Sequence, residues 1–167
     1  MQASTEPADT SVHPSSLGWY CLRTALFASI PTLFGLSVLL ITTYFQTPEL
    51  STGSFKLPMP DVWDLFGNIV FAPVTETALL VALLLVLART PLSATLNALL
   101  CALILGVLHG VLQGWFKFPM AAWGFYFFAQ SFQVWKCISL PKAMLAALMP
   151  HVIVNATVMA TLTAHSL

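Results

Sequence analysis

Long apolar runs, separated by short polar stretches, divide the chain into five helical segments. The first runs from about Thr24 to Tyr44, with Trp19 and Tyr20 at one edge and Tyr44 at the other, as interfacial aromatics stand. A loop rich in Pro and Gly follows (Pro48, Gly53, Pro58, Pro60) and carries Glu49, Lys56, Asp61 and Asp64. The second segment is about Leu65–Ala88 and closes on Arg89, Thr90 and Pro91. The third is about Leu92–Gly114, followed by a turn at Trp115, Phe116 and Lys117. The fourth, about Phe118–Val134, has Pro119 in its first turn, where a missing N–H costs nothing. Trp135, Lys136 and Lys142 bracket the last loop, and Ala143–Thr163 forms the fifth segment. Each run is continuous rather than alternating, which fits membrane-spanning helices and not a β-barrel. The expected fold is therefore all-α, a polytopic transmembrane bundle of about five spans.

Composition agrees. Of 167 residues, 58% are hydrophobic and 7% charged, against about 25% charged in soluble domains. Too few charges are present to solvate a soluble surface of this size. The net charge of +0 gives no basic footprint for nucleic acid, so the expected partners are the lipid bilayer and a membrane protein or peptide. Residues 1–18 are polar and expected to be disordered. They lack a basic region ahead of the first apolar run, so a cleaved signal peptide is not expected. Taking the face that holds the N-terminus as side B, that side carries Arg23, Arg89, Lys136 and Lys142. Side A carries Lys56 and Lys117 with Glu49, Asp61 and Asp64. The positive-inside rule places side B, with the N-terminus, in the cytoplasm.

Two features read as packing. Ala102, Gly106, Gly110 and Gly114 recur every four residues and form a small-residue stripe on the third span, where a neighbour can come close. Cys21, Cys101 and Cys137 match no zinc or redox spacing and read as small buried apolar residues. The aromatics of the fourth span (Trp123, Phe125, Tyr126, Phe127, Phe128, Phe132) read as lipid-facing rather than as a ligand cage.

The chemistry-bearing residues are those that ought not to lie inside a span. Glu76 is the one charged residue well inside, at an insertion cost of at least about 2.5–3.5 kcal/mol, and so should face a bundle interior or a wet cavity. His109 and His151 also lie within spans, whereas His13 and His165 lie in the tails. Asn155 follows His151 by four residues and Gln113 follows His109 by four, so each pair shares a helix face. At about 1.5 Å per residue, Glu76 lies roughly 16 Å from side A and His109 roughly 8 Å. His151 falls near mid-span, with Asn155 about 6 Å nearer side A. All four thus lie between mid-membrane and side A. Pro73 and Pro150 each remove a helical N–H beside this level. Such breaks are tolerated where they line protein or a water cavity, and Thr75 and Thr77 can satisfy freed backbone groups.

A carboxylate beside a histidine can hold and deprotonate a water. A second histidine and an amide can donate to a developing oxyanion. Together these groups suit peptide-bond hydrolysis without a covalent intermediate. There is no GxSxG elbow, no HExxH pair and no pair of aspartates within spans. Two other readings share the residues: a buried polar network that only fixes helix packing, and a zinc or iron site of Glu76, His109 and His151.

The same residues carry a family resemblance. Ala72-Pro73-Val74-Thr75-Glu76-Thr77 resembles the first motif of the CPBP family of type II CAAX prenyl proteases and bacteriocin-processing, abortive-infection-like proteins. Leu105-Gly106-Val107-Leu108-His109-Gly110 resembles the second motif, and His151-Val152-Ile153-Val154-Asn155 the third, HxxxN. Order and spacing agree across about residues 65–165. The resemblance implies a glutamic intramembrane endopeptidase of prokaryotic cell membranes, with no cofactor or metal. Glu76 and His109 would activate water, and His151 and Asn155 would bind the oxyanion. It divides the chain into a tail (1–18), a first transmembrane helix with its loop (19–64) and a catalytic core (65–165). The substrate implied is membrane-anchored or carries a C-terminal sorting signal. The sequence departs from the family at three positions: Thr77 replaces a second Glu, Val81 an Arg, and Leu105 the aromatic residue of the second motif. A non-enzymatic scaffold or immunity-type protein on the same fold is the alternative.

Overall fold

The computed structural model describes residues 16–46 and 60–164. The expected disordered tail up to residue 15, the loop residues Pro48, Glu49, Gly53, Lys56 and Pro58, both tail histidines and the side chain of Tyr44 lie outside the described residues. Five helices are described: α1 (Leu17–Gln46), α2 (Val62–Leu87), α3 (Ala94–Gln113), α4 (Lys117–Trp135) and α5 (Leu140–Ala164). Among the described residues no strand occurs.

Local chemistry sets the helix ends. Asp61 caps α2, its Oδ1 accepting from the Trp63 and Asp64 amides at 2.8 Å each, while Asp64 Oδ2 accepts from the Asp61 amide. This is a reciprocal capping box with Asp at N3. Ser93 caps α3 by accepting from the Leu96 amide. Gly114 ends α3 at φ 103, in backbone that side chains other than glycine rarely adopt.

Helix α4 packs against all four other helices and forms the centre of the bundle. Its buried stripe, Phe125, Phe128, Ala129 and Phe132, follows helical spacing. Helices α1 and α5 approach through small residues, Cys21, Ala25 and Ala28 against Ala143, Ala146 and Ala147, all buried. A Thr24–Ser131 hydrogen bond of 3.2 Å and a Trp123 Nε1–H donation to Phe27 O at 2.9 Å tie α1 to α4.

The sequence pattern predicts five spans. Among the described residues, three helices, α2, α3 and α5, are long and apolar enough to cross a membrane. Helix α4 falls short because Lys117, Gln130, Ser131 and Gln133 dilute it. Its central position explains this, since a helix surrounded by others has little lipid to face. The cysteines also divide: Cys21 and Cys101 are buried, but Cys137 is exposed in the turn after α4.

The small-residue stripe of α3 does what its spacing predicts. A Cβ at Gly106 would stand 2.7 Å from Ala122 Cβ and 3.1 Å from the Ala122 backbone on α4. Neither atom belongs to a flexible side chain. Gly106→Val is therefore expected to destabilise the protein by about 1–3 kcal/mol, the usual cost of overpacking. Unfolding in mixed detergent micelles checks it, and an unchanged midpoint would mean that α3 and α4 are not locked here. Gly114 differs from the others, turning the chain rather than packing.

Candidate active site

Helix α2 is not uniformly α-helical. Gly67–Phe71 form a π-helical turn, in which the Ala72 amide donates to Gly67 O, five residues back. The shift leaves Asn68 O looking for the amide of residue 73, and that residue is a proline. Asn155 Nδ2–H fills the place, donating to Asn68 O at 2.8 Å. The amide of α5 thus closes a hydrogen bond that Pro73 takes away, as backbone surrounded by apolar helices or lipid requires. Thr75 adds a back-bond from Oγ1 to Phe71 O at 2.9 Å.

One turn beyond Pro73, Glu76 meets both histidines. Glu76 Oε1 lies 3.3 Å from His109 Nε2, and Oε2 lies 3.2 Å from His151 Nε2. The carboxylate side chain is 24% exposed, and those of His109 and His151 15% and 5%. Each ring is fixed from its other nitrogen. His109 Nδ1 lies 2.9 Å from Leu105 O. A carbonyl oxygen only accepts, so Nδ1 carries the hydrogen. A bare Nε2 opposite the carboxylate would set lone pair against lone pair, so Glu76 and His109 hold one proton between them. His151 Nδ1 pairs with Thr77 Oγ1 at 3.4 Å, which turns Nε2 toward Glu76. Thr77, at the place of the resembled family's second Glu, is 3% exposed and anchors a histidine instead. Val81 and Leu105, the other departures, are buried in the hydrophobic core.

Phe125 and Phe128 wall the histidines. The Phe128 ring stacks on His151 at 4.6 Å and 23°. Phe125 lies edge-on to His151 at 5.5 Å and beside His109 at 5.1 Å. This corrects the lipid-facing reading of the α4 aromatics. Phe125, Phe128 and Phe132 are 1–3% exposed, whereas Trp123 is exposed as expected. The signal was available: positions 125, 128 and 132 share one face at 3–4 spacing.

Glu76, His109, His151 and Asn155 all line one cavity of about 410 Å³. Thr32 and Gly35 of α1 line it too, together with Asn68, Gln113 and Lys117, so the first helix contributes to the wall. Two details refine the expected geometry. His151 touches Glu76 directly instead of facing it across a gap. One Asn155 proton is committed to Asn68, which leaves the second and the amide oxygen. Among the described residues no group of three His, Cys, Asp or Glu is arranged to hold a metal ion. The two histidine Nε2 atoms are paired off on separate carboxylate oxygens rather than converging on a shared point.

No family model, curated protein or solved structure matches the chain.

Asn155→Leu keeps the side-chain volume but leaves Asn68 O without its donor. The expected loss is about 1–2 kcal/mol, in the range of interhelical hydrogen bonds within membranes. Detergent unfolding measures it. A change below about 0.3 kcal/mol would mean that another donor reaches the carbonyl.

Proposed function

We propose that the protein is an intramembrane glutamic endopeptidase, crossing the bilayer with α1 and α4 as well as its three apolar helices and with its N-terminus in the cytoplasm. The observation that carries this reading is a partly exposed carboxylate, held between two histidines, on the wall of a cavity among apolar helices. Glu76 takes a proton from a water on its cavity side, and the hydroxide attacks a peptide carbonyl. Once protonated, Glu76 is a poorer acceptor, so His151 Nε2–H turns to the oxyanion beside the second Asn155 proton. When the intermediate collapses, the proton shared by Glu76 and His109 passes from His109 Nε2 to the leaving amine. The proton taken from water then replaces it. The substrate is a membrane-anchored peptide, and the motif resemblance supports this as well.

The test is turnover of membrane-spanning peptides by the purified chain in phospholipid vesicles, read by mass spectrometry. The native chain is expected to cut, the Glu76→Gln variant to lose cutting, and a chelator to change nothing. Retained cutting by the variant sinks the mechanism, and loss to the chelator transfers the role to a metal. One observation favours a second reading, that of a scaffold: both carboxylate oxygens are already paired. On that reading the native chain cuts no peptide.

A further inference from the structure

Lys117 lines the cavity wall beside Gln113, at the turn that joins α3 to α4. Among the described residues it is the one cation at this end of the bundle, since Arg23, Arg89, Lys136 and Lys142 lie toward the other end. Its Nζ lies over the Phe116 ring at 5.9 Å, and among the described residues no carboxylate comes within salt-bridge distance of it. The two acids nearest this end, Asp61 and Asp64, are occupied in capping α2. Glu76 is paired with two histidines. Among the described residues the cavity lining therefore holds one ammonium with no carboxylate paired to it, and its one acid is already shared by two histidines. Lys117 is half-buried, and an ammonium beside apolar side chains is favoured by an anionic partner.

We propose that Lys117 binds a carboxylate of the substrate, so that the peptide class taken by this site carries an acidic group just outside its apolar segment. The identity of the ligand as a peptide rests on the peptidase reading; the carboxylate site rests on Lys117 itself. Gln113 lies about 6 Å along α3 from His109, and Lys117 lies just beyond. At about 3.3 Å per extended residue, the acid sits about two to three residues from the scissile bond. Either an Asp or Glu side chain or a terminal α-carboxylate supplies this chemistry.

The experiment uses the full chain in phosphatidylcholine vesicles and four synthetic peptides with one 20-residue apolar segment and a photo-crosslinking group. They end in an amidated Asp-containing tail, an amidated Asn tail, the Asn tail with a free carboxylate, and an amidated Lys tail. Crosslinking reports binding and mass spectrometry reports cleavage. The native chain is expected to crosslink the Asp or the free-carboxylate peptide about tenfold better than the amidated Asn peptide, the scale of a charge-assisted hydrogen bond. Whichever acid wins identifies the source. Lys117→Gln should erase the preference, and Lys117→Glu should shift it to the Lys peptide. Equal crosslinking of all four by the native chain, or a preference unchanged in both variants, overturns the proposal. A charge preference without cleavage of any peptide keeps the Lys117 site and removes the peptidase reading. Cleavage without charge preference does the reverse.

Discussion

Glu76→Gln is expected to lower peptide cleavage by about 10²–10⁴-fold, the usual share of a positioned general base, while the helical bundle stays intact. The second half of that expectation comes from the partners. A new amide can keep one oxygen as acceptor for His151 Nε2–H. Its NH₂ can donate to His109 Nε2, because the bond from His109 Nδ1–H to Leu105 O leaves that nitrogen free to accept. Every polar contact of the native carboxylate is thus replaced and nothing is left unsatisfied. What disappears is the capacity to take a proton from water. The measurement pairs turnover in vesicles with a thermal melt in detergent. A variant that has also lost its melting transition would show that the carboxylate was holding the helices together, as a scaffold requires.

Phe128→Ala is expected to cost about 3–5 kcal/mol, the range for emptying a buried aromatic site. The ring is 3% exposed, stacks on His151 and sits edge-to-face with Phe125 at 6.1 Å. Because α4 packs against every other helix, the space left cannot close by the movement of a single neighbour. Phe128→Leu keeps most of the volume and should cost about 1.5 kcal/mol or less. Detergent unfolding of both variants checks this. A loss below about 1 kcal/mol for the alanine variant would contradict a tightly packed wall.

The site's polar members were legible because membranes make polarity conspicuous. Counting residues sets Glu76, His109, His151 and Asn155 in one half of the bilayer, and they share one cavity. From sequence, Thr77 reads as a source of backbone hydrogen bonds and as a departure from the resembled family's second Glu, not as a partner of His151. Its role as an anchor depends on the rotation of α5 against α2, which no local pattern fixes. The α4 aromatics do not share one environment: on a helical wheel Phe125, Phe128 and Phe132 separate from Trp123, and the first three are buried while Trp123 is exposed. The π-helical turn was only half visible. Pro73 predicts a lost hydrogen bond, but the register of the repair is set by the Asn155 amide, 87 residues from the Asn68 carbonyl it meets. Of the five expected spans, α2, α3 and α5 are apolar enough to cross a membrane on composition alone, whereas α4 carries Lys117, Gln130 and Gln133 and packs at the bundle centre, where a helix has little lipid to face.

The order of the elements along the chain has a consequence for biogenesis. Helix α2 enters the membrane before either histidine that will hold its carboxylate has been synthesised. Glu76 must cross that interval alone, at a penalty of at least about 2.5–3.5 kcal/mol. The acid resides in the most apolar of the three helices that are long and apolar enough to span, where Leu79, Leu80, Val81, Leu83, Leu84, Leu85, Val86 and Leu87 follow it in close succession. That leucine-rich half is what lets the segment be accepted by the insertion machinery while its acid is still unpartnered. Thinning it should impair insertion of the chain even though most of those side chains lie far from any chemistry.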